Sequence, residues 1–312
     1  MLSRIAESLY WIGRYLERAE DTCRVVEVHL QLLLDDPSVD QDAAAVALLA
    51  VMGAEPPAPG GRADSREVLR QLCYEEASPS SIVAALGGAR EAARRARETV
   101  SMEMWESINT TWNSARGGRL QRMRPANMFR FVRERCAVIN GIADGTMSRD
   151  EGWHFLVLGQ SLERVDMTAR LLSSATVISG TQAAWVNVLR GSGAHHAFVR
   201  TYGGNTSDRQ AAEFILLDRL FPRSLVSSLA AAEKALARLD RRERRVGFET
   251  DAERLLGTAR ASLEYRRPSE ILDDLPGRMT DLQRTCNQVS LALTQRYFEA
   301  ATAAQWHGGG EQ

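Results

Sequence analysis

The chain has 312 residues, of which 44% are hydrophobic and 25% are charged, the composition of an ordinary folded globular protein. Its formal net charge of -1 excludes a bulk electrostatic attraction to nucleic acid or to an anionic membrane. The four cysteines are far apart and form no CxxC pair, and no uninterrupted apolar run is long enough to span a membrane. We therefore expect a cytoplasmic protein with reduced thiols.

The first predicted helix begins at Ser3, which we expect to cap it, and ends near Leu34, before the stop at Asp35-Asp36-Pro37. It contains the segment LYWIGRYLERAEDTCRVV, Leu9 to Val26, which returns 146 residues later as FLVLGQSLERVDMTARLL, Phe155 to Leu172. Each segment predicts an amphipathic helix with one apolar stripe. The stripes are Leu9, Ile12, Leu16, Ala19, Cys23 and Val26 in the first segment and Phe155, Leu158, Leu162, Val165, Ala169 and Leu172 in the second.

A polar strip lies beside each apolar stripe and contains the candidate site residues. They are Glu17, Arg18, Glu20 and Arg24 in the first segment and Glu163, Arg164, Asp166 and Arg170 in the second. Glu20 and Asp166 lie nearest the apolar side, where a carboxylate is unfavourable unless it is paired. Arg24 and Arg170 are the nearest partners, because side chains four residues apart meet on a helix surface.

Two further features of the strips concern packing. Gly13 and Gly159 occupy matching positions and predict that another backbone approaches each helix closely. Arg18 and Arg164 point about 100° away from the glutamate before them, so each arginine and its neighbouring glutamate should serve different partners.

A second match supports the repeat. Pro79 to Val83, PSSIV, resembles Pro222 to Val226, PRSLV, at an offset of 143, with Ser81 and Ser224 at the start of a predicted long helix in each case. Two matches at nearly one offset predict a duplication of about 145 residues. We expect duplicated halves at 1–149 and 150–300, related by a pseudo-twofold axis, and a flexible tail at 301–312.

The rest of the chain predicts further helices and almost no strand, so we expect an all-α fold, a helical bundle. The predicted helices cover residues 41–52, 66–74, 82–100, 101–115, 129–142, 150–174, 185–190, 209–220, 224–242, 251–265 and 275–298, and the predicted loops cover 53–65, 117–127 and 191–208. Trp105 and Trp112, seven residues apart, predict aromatic anchors in a helix interface.

Motifs of familiar chemistry are sparse. Gly87-Gly88 lies inside a predicted helix and Gly203-Gly204 has no neighbouring P-loop lysine, so nothing predicts a triphosphate site. Glu151 and His154 have the spacing of half a di-iron motif, but it occurs once, and the adjacent pair His195-His196 is typical of a solvent-facing loop. We therefore expect no metal and no cofactor.

The repeated strips have two interpretations. If the halves pack about a pseudo-twofold axis, the strips face each other and bring four carboxylates and two guanidiniums into a small volume. Such a centre could bind a substrate or transfer protons. It could equally be a buried ion-pair network that fixes the register of the helices. The sequence leaves both interpretations open.

Four segments of the chain resemble one known family. SLYWIGRYLERAEDTCRVVEVHL, SPSSIVAALGGAREAARRARETVSMEMWESIN, DEGWHFLVLGQSLERVDMTARLL and FPRSLVSSLAAAEKALARL are similar, in order, to the bacterial alpha-E domain family, an α-helical domain with a Glu-Arg motif. The chain departs from the family pattern at Gln160 and Met167, where the family often has arginine.

The resemblance implies a functional setting. Members of the family accompany, or are fused to, circularly permuted ATP-grasp proteins, and transglutaminase-like cysteine peptidases are often encoded nearby. ATP-grasp enzymes activate carboxylates for ligation to amines. The implied partners are therefore an ATP-grasp ligase and, in addition, a transglutaminase-like peptidase, in the synthesis or modification of a peptide or an amide-linked metabolite.

Two classes of function remain open. In the first, the chain is an accessory or scaffold protein for the ligase. In the second, it is an enzyme whose Glu-Arg centre acts on an amino-acid-like or peptide substrate, with arginine holding a carboxylate and glutamate an amine. A sealed centre favours the first class and a solvent-reached cavity the second. Nucleic acid is not an expected partner, because the basic run 116–124 is short.

Overall fold

The structure is a computed structural model that describes residues 1–55, 63–178, 182–203, 207–240, 247–248 and 250–299. These residues form α-helices, a few shorter helical turns and no strand, which confirms the all-α prediction. The helices are α1 (Ser3–Asp35), α2 (Gln41–Val51), α3 (Ser65–Leu69), α4 (Ile82–Arg95), α5 (Met102–Ala115), α6 (Pro125–Thr146), α7 (Glu151–Ile178), α8 (Gln182–Gly191), α9 (His195–Tyr202), α10 (Asp208–Leu217), α11 (Leu225–Leu239), α12 (Asp251–Glu264), α13 (Pro268–Leu272) and α14 (Leu275–Leu293). Turns of π-helix follow α3 (Arg70–Tyr74) and α14 (Thr294–Phe298), and a 3₁₀ turn (Leu120–Arg122) precedes α6.

Two long helices, α1 and α7, form the centre of the protein. They run in the same direction, because the amino terminus of Met1 lies 3.1 Å from Glu151 and, further along both helices, Arg18 binds Glu163. Every residue of the two predicted apolar stripes is at most 4% exposed, which confirms the amphipathic pattern. No described helix is both long and apolar enough to cross a membrane.

Each long helix closes a four-helix bundle. In the first bundle, α1 packs against α4 and α6, and α5 completes the ring by packing against the same two helices. In the second, α7 packs against α11 and α14, and α12 packs against both of these. The bundles meet along α1 and α7, and one apolar core extends through both.

The contact between α1 and α7 requires glycine on both helices. A Cβ atom on Gly13 would overlap the carbonyl oxygen of Leu156, and one on Gly159 would overlap the carbonyl oxygen of Tyr10. The two backbones therefore approach as closely as glycine alone permits, as the sequence predicted. This close approach brings the polar strips of both helices within hydrogen-bond reach of each other.

The glycine pair of α4 also permits close packing. A Cβ atom on Gly87 would lie 3.1 Å from the Trp112 ring, and one on Gly88 would lie 2.8 Å from the Tyr15 ring. Trp105 and Trp112 are both half-buried and pack against the core, which confirms their predicted place in a helix interface.

Two serines begin the helices α4 and α11 in the same way. The hydroxyl oxygen of Ser81 accepts from the backbone N–H three residues later at 3.0 Å, and that of Ser224 does so at 3.1 Å. Each hydroxyl donates to the carbonyl six residues earlier. Both serines thus cap the long helices at whose start the sequence placed them, and both are fully buried.

Some predicted elements differ from the structure. Ser3 does not cap α1, because the cap residue is Leu2 and no side chain accepts from the first turn. The helix predicted over 82–100 ends at Arg95. The predicted loop 191–208 contains α9, which forms around Phe198, a fully buried residue that no local capping pattern indicated. The predicted tail 301–312 and the centre of the predicted loop 53–65 lie outside the described residues.

Candidate functional site

Glu163 of α7 is held by two arginines of α1. Arg18 donates to both of its carboxylate oxygens, from Nε at 2.5 Å and from Nη2 at 3.1 Å. Arg14 donates to Oε2 from Nε, and its Nη1 donates to the hydroxyls of Tyr10 at 2.9 Å and Ser290 at 2.7 Å. Glu163 is fully buried and Arg14 is 4% exposed, so this ion pair lies inside the protein.

Glu17 of α1 has the reciprocal arrangement. Arg164 of α7 donates to both of its oxygens, from Nε at 2.6 Å and from Nη2 at 2.8 Å. Arg223, just before α11, lies 3.0 Å from the same carboxylate. Each Glu-Arg dipeptide therefore binds the other crosswise: Glu17 pairs with Arg164, and Glu163 pairs with Arg18. This crossed pairing agrees with the prediction that the two members of each dipeptide serve different partners.

Arg223 also joins two further carboxylates of α1. Its Nη1 lies 2.5 Å from Asp21 and its Nη2 lies 2.6 Å from Glu20. Arg24, one turn after Glu20, donates to the same carboxylate at 2.7 Å, and its Nε lies 3.7 Å from Asp21. The predicted pairing of Glu20 with Arg24 is present in the structure, and Arg223 extends it to a second helix.

The two arginines at the ends of the strips bind helix C-termini. Arg24 donates to the carbonyl oxygen of Gly191, the last residue of α8, at 3.2 Å. Arg170 donates to Asp166 at 2.9 Å and to the carbonyl oxygen of Val51, the last residue of α2. A guanidinium satisfies an otherwise unpaired carbonyl there and is attracted by the negative end of the helix dipole.

Glycine shapes both of these helix ends. Gly53 and Gly193 have φ angles of 67° and 69°, in the left-handed region that terminates helices. The residue after each glycine donates to the carbonyl five residues before it, at 2.9 Å after Gly53 and 2.7 Å after Gly193. A Cβ atom on Gly193 would lie 3.3 Å from Arg24, so the helix end and the arginine are closely packed.

The two central glutamates stay ionised. Burial alone would raise the pKa of Glu17, but Arg164 and Arg223 outweigh it and lower that pKa to about 2. Burial also opposes ionisation of Glu163, and Arg14 and Arg18 lower its pKa to about 2. These charges are therefore present throughout the neutral and mildly acidic range.

Two other acidic groups behave in the opposite way. Burial raises the pKa of Asp21 to about 7; Arg223 opposes the rise, whereas Glu17 reinforces it. Burial likewise raises the pKa of Asp166, against the attraction of Arg170. One oxygen of each aspartate is buried without a hydrogen-bond partner in the part of the chain that the structure describes. An unpaired buried oxygen favours the protonated form.

The centre is largely sealed. Glu17 and Glu163 have no exposed surface, and the arginine side chains around them are between 5% and 22% exposed. A cavity of about 480 Å³ touches the centre at Arg24 and is lined by neither glutamate. A substrate in that cavity would therefore reach Arg24 but neither central glutamate, and the carboxylate on the cavity wall is Glu27, which is paired with Arg133.

Three members of this centre, Arg14, Asp21 and Arg223, were not predicted from the sequence. Arg14 and Asp21 lie on α1 at four-residue spacing from Arg18 and Glu17, so helical geometry alone could have indicated them. Arg223 had no such signal, because it reaches α1 across about two hundred residues of chain. The eight predicted site residues, four carboxylates and four guanidiniums, therefore become a centre of five carboxylates and six guanidiniums.

The other candidate groups do not assemble a site. The described residues contain no group of three or more His, Cys, Asp or Glu side chains with metal-binding geometry. Glu151 binds the amino terminus of Met1, and the rings of His195 and His196 pack edge to face at 5.7 Å on α9. All four cysteines are buried and free, and burial raises the pKa of the Cys23 thiol, which makes it unreactive.

Comparisons with known proteins find a family model that spans the described helices and relatives that match part of the chain. Residues 1–298 match the family model Alpha-E, described as a predicted α-helical domain with a conserved ER motif. An uncharacterised protein of Mycobacterium bovis and one of Mycobacterium tuberculosis are each 26% identical over 252 residues. Those matches cover 72% of this chain but 28% of the mycobacterial proteins. No solved structure matches the chain.

Proposed function

The chain belongs to the Alpha-E family, and on that premise we propose that it is an accessory protein rather than a catalyst. It would bind an ATP-grasp carboxylate-amine ligase, or hold that enzyme's substrate, during the synthesis or modification of a peptide or amide-linked metabolite. A transglutaminase-like peptidase would be a second partner in the same process. The buried Glu-Arg centre would then serve to join the two bundles.

The observation that carries this proposal is the sealing of Glu17 and Glu163. Both carboxylates are fully buried, and each has its two oxygens bound by arginines from the opposite long helix. A general acid or base must come within hydrogen-bond distance of a substrate. These two carboxylates are instead placed to fix α1 against α7, which is the best attested use of a buried ion pair.

The lengths of the mycobacterial relatives support the proposal that this chain acts together with another domain. The chain spans 28% of the length of the mycobacterial proteins it matches, so most of each of those proteins lies outside the matched region. A domain found within a longer chain has a covalently attached neighbour. In the accessory role proposed for this chain, the neighbour is a ligase on a separate chain.

We also infer that residues 1–149 and 150–300 are duplicated halves related by a pseudo-twofold axis. The crossed Glu-Arg pairs, the two identical serine caps and the two arginine-bound helix ends support this inference. Each of these features occurs twice, once with its side chain from each half. Duplication explains why one structural device recurs at offsets near 145 residues.

The decisive experiment is to co-express the chain with the circularly permuted ATP-grasp protein of the same genome. We expect the two proteins to co-elute in size-exclusion chromatography, and amide formation by the ligase to be faster with the chain than without it. The chain alone should hydrolyse no ATP. Failure to form a complex, together with an unchanged ligase rate, would refute the accessory role.

A second arm separates the accessory role from the enzymatic alternative. In the accessory role, Glu163→Gln should reduce the effect of the chain on the ligase only under conditions in which the variant is unfolded. The variant is therefore assayed well below its own melting temperature, beside the surface control Glu91→Gln. An accessory protein keeps its effect on the ligase as long as it is folded. A variant that is folded, binds the ligase and is inactive would instead identify Glu163 as a catalytic group.

A further inference from the structure

The cavity beside Arg24 lies where α1, α6 and α8 meet. Its volume of about 480 Å³ is within the range of small-molecule sites. It is lined by Arg24, Glu27, Val28, Gln31, Arg133, Asn187, Arg190 and Gly191. Three arginines from three different helices thus surround one opening, which is more positive charge than the net charge of the chain would lead one to expect.

The positive charge of this cavity is only partly neutralised. Arg24 is paired with Glu20, and Arg133 is paired with Glu27. Arg190 is exposed and forms no ion pair with any residue that the structure describes. The walls therefore carry one unmatched positive charge, which suits a singly charged anion better than a phosphate dianion.

The polar groups of the wall are held in place from outside the cavity. Asp35, at the end of α1, accepts from the amide of Gln31 at 2.7 Å and from the amide of Asn187 at 3.4 Å. Asp35 is exposed, so solvent screens its own charge. Asn187 is 2% exposed, and its side chain connects the buried wall with the rim.

The corresponding helix end elsewhere in the protein lacks this charge. Arg170 binds the carbonyl oxygen of Val51 much as Arg24 binds that of Gly191, yet Val51 is preceded by Ala50 where Gly191 is preceded by Arg190. An arginine at this position is therefore not needed to hold the helix end. Arg190 is available for a ligand.

A second cavity, of about 550 Å³, lies next to the first, and Glu27 and Gln31 line both. Its walls are mostly apolar: Leu30, Leu33, Leu34, Leu69, Pro125 and Phe129 contribute to it. The two cavities together form a groove along the last turns of α1, with positive charge at one end and hydrocarbon at the other.

We propose that this groove binds a small organic carboxylate, namely an N-acylated amino acid with an apolar side chain. The carboxylate lies against Arg190 and Arg133, and the apolar side chain lies over Leu34 and Leu69. The uncharged acyl-amide avoids placing an ammonium group beside the arginines. This assignment is separate from the accessory role proposed above, because binding is measured on the chain alone.

The test is isothermal titration calorimetry of the 312-residue chain with N-acetyl-L-leucine. We expect saturable binding, and at least tenfold weaker binding of the neutral N-acetyl-L-leucinamide, which lacks the carboxylate. Inorganic phosphate at the same concentration should bind more weakly than N-acetyl-L-leucine. Absence of saturable binding below about 10 mM, or tighter binding of phosphate, overturns the assignment.

Variants locate the site. Arg190→Gln should weaken binding of N-acetyl-L-leucine at least tenfold, whereas Arg200→Gln, an exposed arginine on α9, removes the same charge and should leave the affinity unchanged. Leu34→Ala should weaken binding severalfold, because it removes apolar surface that the side chain of the ligand would cover. Leu34 is 76% exposed, so its truncation spares the core. Circular dichroism confirms that each variant is folded. Equal affinity of the Arg190 variant and the wild type overturns the proposal.

Discussion

The two central glutamates should contribute unequally to stability, although their sequence contexts are nearly the same. Glu163→Gln leaves the guanidinium of Arg14 buried at 4% exposure with no carboxylate bound to it, whereas Arg18, whose side chain is 22% exposed, can turn towards water. Breaking a buried ion pair on one side destabilises by about 3–5 kcal/mol, and we expect Glu163→Gln to lose about 4 kcal/mol. In Glu17→Gln, Arg223 keeps Glu20 and Asp21 as partners, so the loss should be about 2 kcal/mol.

The assay is equilibrium unfolding in urea at pH 7, followed by far-ultraviolet circular dichroism. The control is Glu91→Gln, which removes a pair with Arg94 whose side chains are 41% and 58% exposed, and it should change the free energy of unfolding by less than about 0.5 kcal/mol. Equal losses for the Glu17 and Glu163 variants would refute the reasoning, since the difference rests on Arg223. A loss no larger than that of the control would show that neither ion pair fixes the helices.

Three further outcomes test other features. Gly13→Ala should destabilise by up to about 3 kcal/mol in urea unfolding, because the new Cβ overlaps the carbonyl of Leu156; a stabilised variant would show that the helices lie further apart. Asp21 has a folded pKa of about 7, above its unfolded value of about 3.9, so its ionisation removes up to roughly 4 kcal/mol of stability as the pH rises from about 4 to about 7. Asp21→Asn never ionises, and its stability relative to wild type should therefore be higher at pH 8 than at pH 5; a difference independent of pH would contradict the raised pKa. Ser81→Ala and Ser224→Ala should each lower stability by about 2 kcal/mol in thermal melts, since each removes a cap and the hydrogen bond that the hydroxyl donates to a carbonyl; a loss at one serine alone would mean that the caps are not equivalent.

Features with a local period were predictable from the sequence. The apolar stripe of α1 and the pairing of Glu20 with Arg24 follow from 3.6-residue geometry, and both are present in the structure. The close approach at Gly13 was predictable because both repeated helices have glycine at the matching position, although glycine is unfavourable in the interior of a helix.

Features that depend on tertiary contact were not predictable in this way. Arg223 reaches Asp21 from a loop far along the chain, and no periodicity links the two residues. The helix α9 forms because Phe198 packs against Tyr202 at 4.9 Å and Phe214 at 5.7 Å, and this burial outweighs a weak local preference. The crossed partners of the Glu-Arg dipeptides were likewise fixed only by the parallel placement of α1 and α7.

The crossed pairs bear on the order in which the molecule can be made. Glu17 finds its guanidinium partners at Arg164 and Arg223, so a nascent chain that has emerged only as far as α6 contains the glutamate without either of them. Burying that carboxylate before its partners exist is unfavourable. The face of α1 that carries Glu17 should therefore stay open to solvent until Arg164 and Arg223 have been synthesised, so this face is completed only after α7 and the residues before α11 have been made.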